Sequence, residues 1–279
     1  MKRGLILGVI VAVGIAIAGL TAQQPAGQAG QGQGRAGGGG QPPLGMIEKI
    51  ADNLYMIPGQ GGNAAVYVAG NGVVLVDTKL ADNGPGLLER IRSVTDKPVT
   101  MIVNTHTHGD HNGSNVHFPA SAEIVTHENT SANMQKMPAF QDAASKHGLP
   151  DRTFKDRLTL LSGNDSIDLY YFGPAHTNGD ALVVFRNRRV LHAGDMFANR
   201  AQPLIDVNNG GSGLAYGQTI GKAASTIRNV DTVITGHNVV LKWPDFVTYG
   251  EFTRAMADHA RASLKAGKTA EQAMAEFKP

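Results

Sequence analysis

The segment Val99-Thr-Met-Ile-Val103-Asn-Thr-His106-Thr-His108-Gly-Asp110-His111 decides the reading of this chain. Five residues rich in β-branched side chains run into a loop carrying three histidines and an aspartate within six positions. A strand end followed by a loop can turn several side chains toward one point. His106 and His108 are two apart and face the same way in extended chain, whereas the adjacent Asp110 and His111 diverge. Any one of the ten histidines is more easily a surface or hydrogen-bonded core residue. This grouping is hard to explain by packing. Imidazole and carboxylate without thiolate suit zinc, with iron or manganese as alternatives, and the chain contains no cysteine.

Three further segments of the same kind lie at strand ends. His176 stands in Gly173-Pro-Ala-His176-Thr-Asn-Gly-Asp180, after an apolar strand ending at Phe172. Asp195 closes Leu191-His-Ala-Gly-Asp195, and His237 closes Ile234-Thr-Gly-His237. In α/β folds, functional groups collect on loops leaving one edge of the sheet. His117, His127, His147 and His259 have no such context and read as structural or surface residues. His192, three positions before Asp195, reads as a strand-core residue. Asp77, ending the apolar run Val73–Val76, either orients a ligand histidine or starts a turn.

Working outward, Leu54–Ile57, 64–69, 73–77, 99–103, 123–126, 166–172, 182–186, 189–192 and 231–235 are expected strands, with a hairpin at Gly70-Asn-Gly72. Helices are expected over 85–94, from about Glu128, and over 214–227, 244–264 and 269–277. Residues 137–157 lack periodicity and are open to reading as a lid or a surface excursion. The order implies a mixed α/β domain in which helices cover sheets.

The N-terminus differs. Lys2 and Arg3 precede an apolar run from Leu5 to Leu20, and small residues end at Ala22, the layout of a secretory signal peptide over residues 1–22. The alternative, a retained anchor, meets an apolar run short of the roughly 20 residues a bilayer requires. Residues 23–43 are almost entirely Gln, Gly, Ala and Pro and are expected to be a disordered linker. Residues 44–279 form the expected domain. Loss of Lys2 and Arg3 would leave 23 basic residues against 23 acidic ones. That balance gives no electrostatic case for nucleic acid or an anionic membrane. The expected partner is a small-molecule substrate, the expected location periplasmic or secreted, and any membrane contact would run through an uncleaved signal segment. Nothing in the sequence sets the oligomeric state.

Taken together, Gly61-Gly-Asn63, Val73-Val-Leu-Val-Asp77-Thr78, the His-x-His-x-Asp-His segment, Gly-x-x-His176-Thr-x-Gly, Gly194-Asp195 and Gly236-His237 resemble the metallo-β-lactamase-fold superfamily, in its expected order. The resemblance implies a four-layer αββα sandwich of two mixed sheets. It implies one metal on His106, His108 and His176, a second on Asp110, His111 and His237, and Asp195 between them. It also favours Asp77 as the residue orienting a ligand. Two zinc ions sharing a hydroxide would then attack an acyl bond of a lactam, lactone, ester or thioester, with Asp110 orienting the nucleophile or taking its proton. Asn178 and Asn238, beside ligand histidines, are candidates for substrate contact. The aspartate at 195 resembles the exported, glyoxalase II-like and quinoprotein-associated branch more than dedicated zinc β-lactamases. A true periplasmic β-lactamase and an iron-dependent oxygenase or reductase of the same fold are the alternatives, with a non-catalytic metal-binding scaffold behind them.

Overall fold

Val73-Val-Leu-Val76 shows in four residues how the architecture is built. Val73 and Leu75 pack in one apolar cluster, with Leu87 and Ile91 of a helix. Val74 and Val76 pack in another, with Leu169, Val183 and Phe185 of a second sheet. Successive strand side chains point to opposite faces, so a strand covered on both sides must be apolar throughout.

The computed structural model describes residues 42–278; the expected signal peptide and nearly all of the linker lie outside that range. Seven strands form the first sheet in sequence order: β1 (Glu48–Ala51), β2 (Leu54–Ile57), β3 (Ala64–Val68), β4 (Val73–Val76), β5 (Val99–Val103), β6 (Glu123–His127) and β7 (Arg152–Phe154). It is antiparallel from β1 to β4 and parallel from β4 to β7. The second sheet holds β8 (Arg157–Leu160), β9 (Ile167–Tyr170), β10 (Leu182–Phe185), β11 (Val190–His192), β12 (Thr232–Ile234) and β13 (Leu241–Lys242), also in sequence order. Only β11 and β12 pair in parallel there. Both sheets are therefore mixed, as expected.

The helices are α1 (Gly84–Arg92), the single turn α2 (Gly109–Asn112), α3 (Glu128–Met134), α4 (Gly213–Thr226), α5 (Trp243–Lys265) and α6 (Ala270–Glu276). α1 covers the outer face of the first sheet through Leu87 and Ile91. α4 and α5 cover the second sheet, where Tyr216, Ile220, Phe246 and Tyr249 meet Leu182, Val184, Leu191 and Val233. The result is the four-layer αββα arrangement. Among the described residues, no helix is long and apolar enough to cross a membrane.

Four strands are absent from the sequence reading: β1, β7, β8 and β13. Each has two to four residues, and β1, β7 and β8 carry exposed positions, so no apolar run announces them. The unpatterned stretch 137–157 forms two short 3-10 turns and β7. It is fastened to the body, with His147 Nε2 on the Val116 carbonyl at 2.9 Å and the Gly148 carbonyl accepting from Asn115 at 2.9 Å. The ordered chain also reaches before Leu44. The Pro42 carbonyl accepts from the Gln60 backbone N–H at 2.9 Å.

Candidate metal centre

The loop leaving β5 is shaped by one helical turn. The N–H groups of His111 and Asn112 donate to the His108 carbonyl, at 3.0 and 3.2 Å. That turn fixes Asp110 and His111 on separate headings, as their adjacency requires. Opposite them, the loops after β9, β11 and β12 of the second sheet deliver His176, Asp195 and His237. All seven expected residues come together. The candidate ligand atoms of His106, His108, His176 and Asp195 lie within 4.8 Å of one another, as do those of Asp110, His111 and His237. Asp195 faces both groups. Its Oδ1 is 3.3 Å from His111 Nε2, and its Oδ2 is 3.6 Å from His176 Nε2 and 3.2 Å from His237 Nε2. Asp110 Oδ2 is 3.3 Å from His237 Nε2.

The hydrogen bonds behind the rings fix which nitrogen is free. Asp77 is fully buried and accepts from His111 Nδ1 at 2.7 Å, Thr105 N at 2.8 Å and Thr105 Oγ1 at 2.7 Å. Because the Thr105 hydroxyl gives its proton to Asp77, its oxygen must accept from His106 Nδ1, 3.0 Å away. His106 therefore presents a bare Nε2, and that buried atom has no hydrogen-bond partner. His176 donates from Nδ1 to the Leu204 carbonyl at 2.8 Å, and His108 donates from Nε2 to Asp206 Oδ2 at 2.8 Å. Their remaining nitrogens face each other at 2.9 Å. With both ring protons committed elsewhere, two lone pairs point at one another, an arrangement that only a proton or cation between them stabilises. Carboxylate or carbonyl partners on the far nitrogen are the usual means of aiming histidine at a metal.

The electrostatics agree. Burial first, and then the neighbouring His111 and His176, hold the His106 pKa well below its ordinary value. Burial lowers that of His176 to about 4. Both rings are neutral near pH 7, the form that binds metal. Buried Asp195 Oδ1 also has no hydrogen-bond partner. Against burial, the carboxylates of Asp195, Asp110 and Asp77 raise the pKa of His111, and that of Asp195 raises His237, so this half of the cluster draws positive charge, and the orphaned buried atoms beside neutral His106 and His176 fit divalent cations.

Asp77 thus holds His111 directly and His106 through Thr105, the contacts that the orienting reading requires. It sits at φ +62°, a strained backbone region. Asp206 was not anticipated. It stands between Leu204-Ile205 and a short 3-10 turn over Val207–Asn209, 98 positions from His108, and nothing nearby in sequence signals its role. Lys79 was also missed. It is buried, and its Nζ donates to the carbonyls of Ile57 and of Gly62, the latter at 2.6 Å. Burial lowers its pKa to about 7. Gly62 has a positional reason to be glycine, since a Cβ there would lie 2.0 Å from His111 Cε1.

The other histidines are structural. His127 binds the Lys155 carbonyl and stacks on Tyr171, His259 binds the Ala273 carbonyl, and His117 lies 3.6 Å from Asp82. His192 is buried in β11, donating to the Asn63 carbonyl at 2.9 Å and accepting from Gly194 N. Asn178 takes an amide proton from Asn133 and fastens a loop. Asn238 lines the open cleft above the cluster, a cavity of about 1100 Å³.

The sequence profile of the Metallo-beta-lactamase superfamily matches residues 57–237, and the chain belongs to that superfamily. The metallo-beta-lactamase type 2 of Elizabethkingia meningoseptica is 26% identical over 229 residues, covering 74% of this chain and 83% of that protein. The alpha subunit of 2,4-dinitroanisole O-demethylase from Nocardioides sp. (strain JS1661) is 29% identical over 163 residues, covering 56% of this chain and 45% of that protein. The chain therefore spans less than half the length of that subunit. Among solved structures, a metallo-beta-lactamase from Pontibacter korlensis superposes with a TM-score of 0.62 at 19% identity, covering 75% of this chain and 99% of that one. At that identity the likeness concerns the fold.

Proposed function

We propose that the protein is a metal-dependent hydrolase of a small acyl compound, with two zinc ions as its cofactor, acting after export to the periplasm or beyond the cell. The observation that carries the metal reading is the 2.9 Å approach of His108 Nδ1 and His176 Nε2, whose other nitrogens both serve as donors elsewhere. His106, His108 and His176 would hold one ion, and Asp110, His111 and His237 the other. Asp195 would serve both. Bound there, divalent ions lower the pKa of water toward roughly 7 and polarise a carbonyl.

The residues of the chain supply the rest. Asp77, Thr105, Asp206 and the Leu204 carbonyl keep the ligand nitrogens unprotonated. Asp110 is less buried than His106 or His111 and faces the cleft. Its carboxylate can take the proton of the attacking water. Addition to the acyl carbon then breaks the acyl–heteroatom bond, and the proton passes to the departing heteroatom.

A second reading, cleavage of an aryl methyl ether, draws support from the likeness to the O-demethylase subunit. The likeness to the type 2 enzyme keeps β-lactam hydrolysis within the first reading. The deciding experiment is a turnover panel on metal-quantified protein: a chromogenic cephalosporin, a homoserine lactone, S-lactoylglutathione, a phosphodiester and a nitroaryl methyl ether. Hydrolysis that disappears with chelator and returns with zinc supports the proposal. An active metal-free preparation overturns it, and turnover confined to the ether under oxygen moves the assignment to an oxygenase.

A further inference from the structure

Outside the candidate ligand residues, the cleft above them carries negative charge only. Among the described residues, its lining contains no lysine and no arginine. Apart from the cluster residues His108, Asp110, Asp195 and His237, its one ionic group is Glu48. The walls are otherwise uncharged, with apolar Ile50, Met56, Leu204 and Val239 beside amides such as Asn199 and the phenol of Tyr249. Two of the apolar residues are strongly exposed, Leu204 at 46% and Val239 at 65%. Apolar side chains left open beside a site commonly mark where a ligand lies.

The cations near the lining are engaged elsewhere, Lys242, two positions after Val240, lying close enough to Asp231 to help hold its carboxyl down. Lys79 lies buried under the Pro58–Gly62 loop, on the carbonyls of Ile57 and Gly62. Arg200 is paired with Asp245 at 2.7 Å. Lys49 points to the opposite face of β1 from Glu48 and lies 3.2 Å from Asp52. A carboxylate on a substrate arm lying along this wall would lose water without gaining a counter-charge, and would meet Glu48. Positive charge at the cluster does not meet that need, because under the hydrolase reading it is engaged by the scissile carbonyl.

We infer that the cleft selects uncharged acyl substrates with an apolar arm, such as simple esters and lactones, and discriminates against acyl compounds whose arm carries a carboxylate. This inference rests on the hydrolase reading for the reaction, but its charge preference is measurable without turnover.

The test uses the full chain loaded with zinc and two chromogenic esters of equal arm length, p-nitrophenyl hexanoate and the mono-p-nitrophenyl ester of adipic acid. In each, water adds to the acyl carbon, the bond to the aryl oxygen breaks, and carboxylate and p-nitrophenol result. The neutral ester should show kcat/KM higher by about tenfold or more, after subtraction of the uncatalysed rates. Val239→Lys, which adds an ammonium to the wall, should shrink that ratio. In parallel, an environment-sensitive dimethylaminonaphthalene ketone with a hexanoyl arm is titrated against its ω-carboxylate analogue. Neither has a scissile acyl–heteroatom bond. Tighter binding of the neutral ketone supports the inference even if neither ester turns over, in which case it is the hydrolase reading that fails. Equal or tighter binding of the carboxylate, or no binding of either ketone, overturns the inference whatever the esters do.

Discussion

Asp77→Asn is the most informative single change. It preserves volume but replaces one acceptor oxygen with an amide that donates. In the native protein that carboxylate takes hydrogen bonds from His111 Nδ1, Thr105 N and Thr105 Oγ1, all within 2.8 Å. An asparagine can satisfy Thr105 N through its oxygen. Its amide group then faces the Thr105 hydroxyl and His111 Nδ1, two former donors, so His111 is driven to carry its proton on Nε2. That proton points at Asp195 and His237, where a metal would bind. Replacing one charged hydrogen bond to a buried group costs about 1–3 kcal/mol, so the variant should remain folded. The loss of a ligand-orienting partner should lower metal affinity by about 10–100-fold, equivalent to roughly 1.4–2.7 kcal/mol. Metal affinity is read by competition with a chromogenic chelator, and folding by urea titration of the metal-free protein. A variant that binds zinc within about threefold of the wild type, judged against that range, would refute the argument that Asp77 sets the tautomer.

His106→Ala should reduce bound metal and cut any hydrolytic activity by at least about a hundredfold, the scale of losing a directly binding group rather than its support; metal analysis with initial rates checks this. Gly62→Ala should push the His111 ring aside, because the added carbon would lie 2.0 Å from Cε1. A lowered melting temperature, from overpacking of about 1–3 kcal/mol, should accompany weaker metal retention. Lys79 gives a pH signature. Its folded pKa is about 7 and its unfolded value about 10.4, so between these values the unfolded chain binds the extra proton. Stability contributed by this residue therefore rises with pH across that window and is lost as pH falls through it. Urea midpoints for Lys79→Met should lack that rise relative to wild type between pH 7 and 10.

The site was more legible in the sequence than its support. His106, His108, Asp110 and His111 advertise themselves by crowding into one loop. His176, Asp195 and His237 each follow an apolar strand, so sheet topology alone carries them to the same edge. Asp77 was readable because it closes an apolar run where a hydrophobic residue would be expected. Asp206 was not, since its meaning is a contact made across 98 positions by a loop with no pattern of its own. Lys79 was hidden for the opposite reason. Lysine is almost never fully buried, and only the two carbonyls that receive its protons make that position tolerable. Among strands, β4 and β10 could be read because two covered faces demand unbroken apolar sequence, and β5 because four of its five residues are β-branched although Thr100 is exposed. β1 and β8 lie at sheet edges where one face is open, and β13 has only two residues.

The division of the cluster between the two sheets has a mechanical consequence. His106, His108, Asp110 and His111 hang from the first sheet, whereas His176, Asp195 and His237 hang from the second. A cation gripped by both halves would fasten one sheet to the other across the open edge of the sandwich, closing a loop that runs from position 106 to 237. In a chain without cysteine, such a clasp takes the place of a disulfide. It restricts the unfolded chain, more strongly for a long loop than a short one, and it can be opened by a chelator or by acid instead of a reductant. Prying the sheets apart would then require the ion to leave, so resistance to proteolysis should follow metal occupancy.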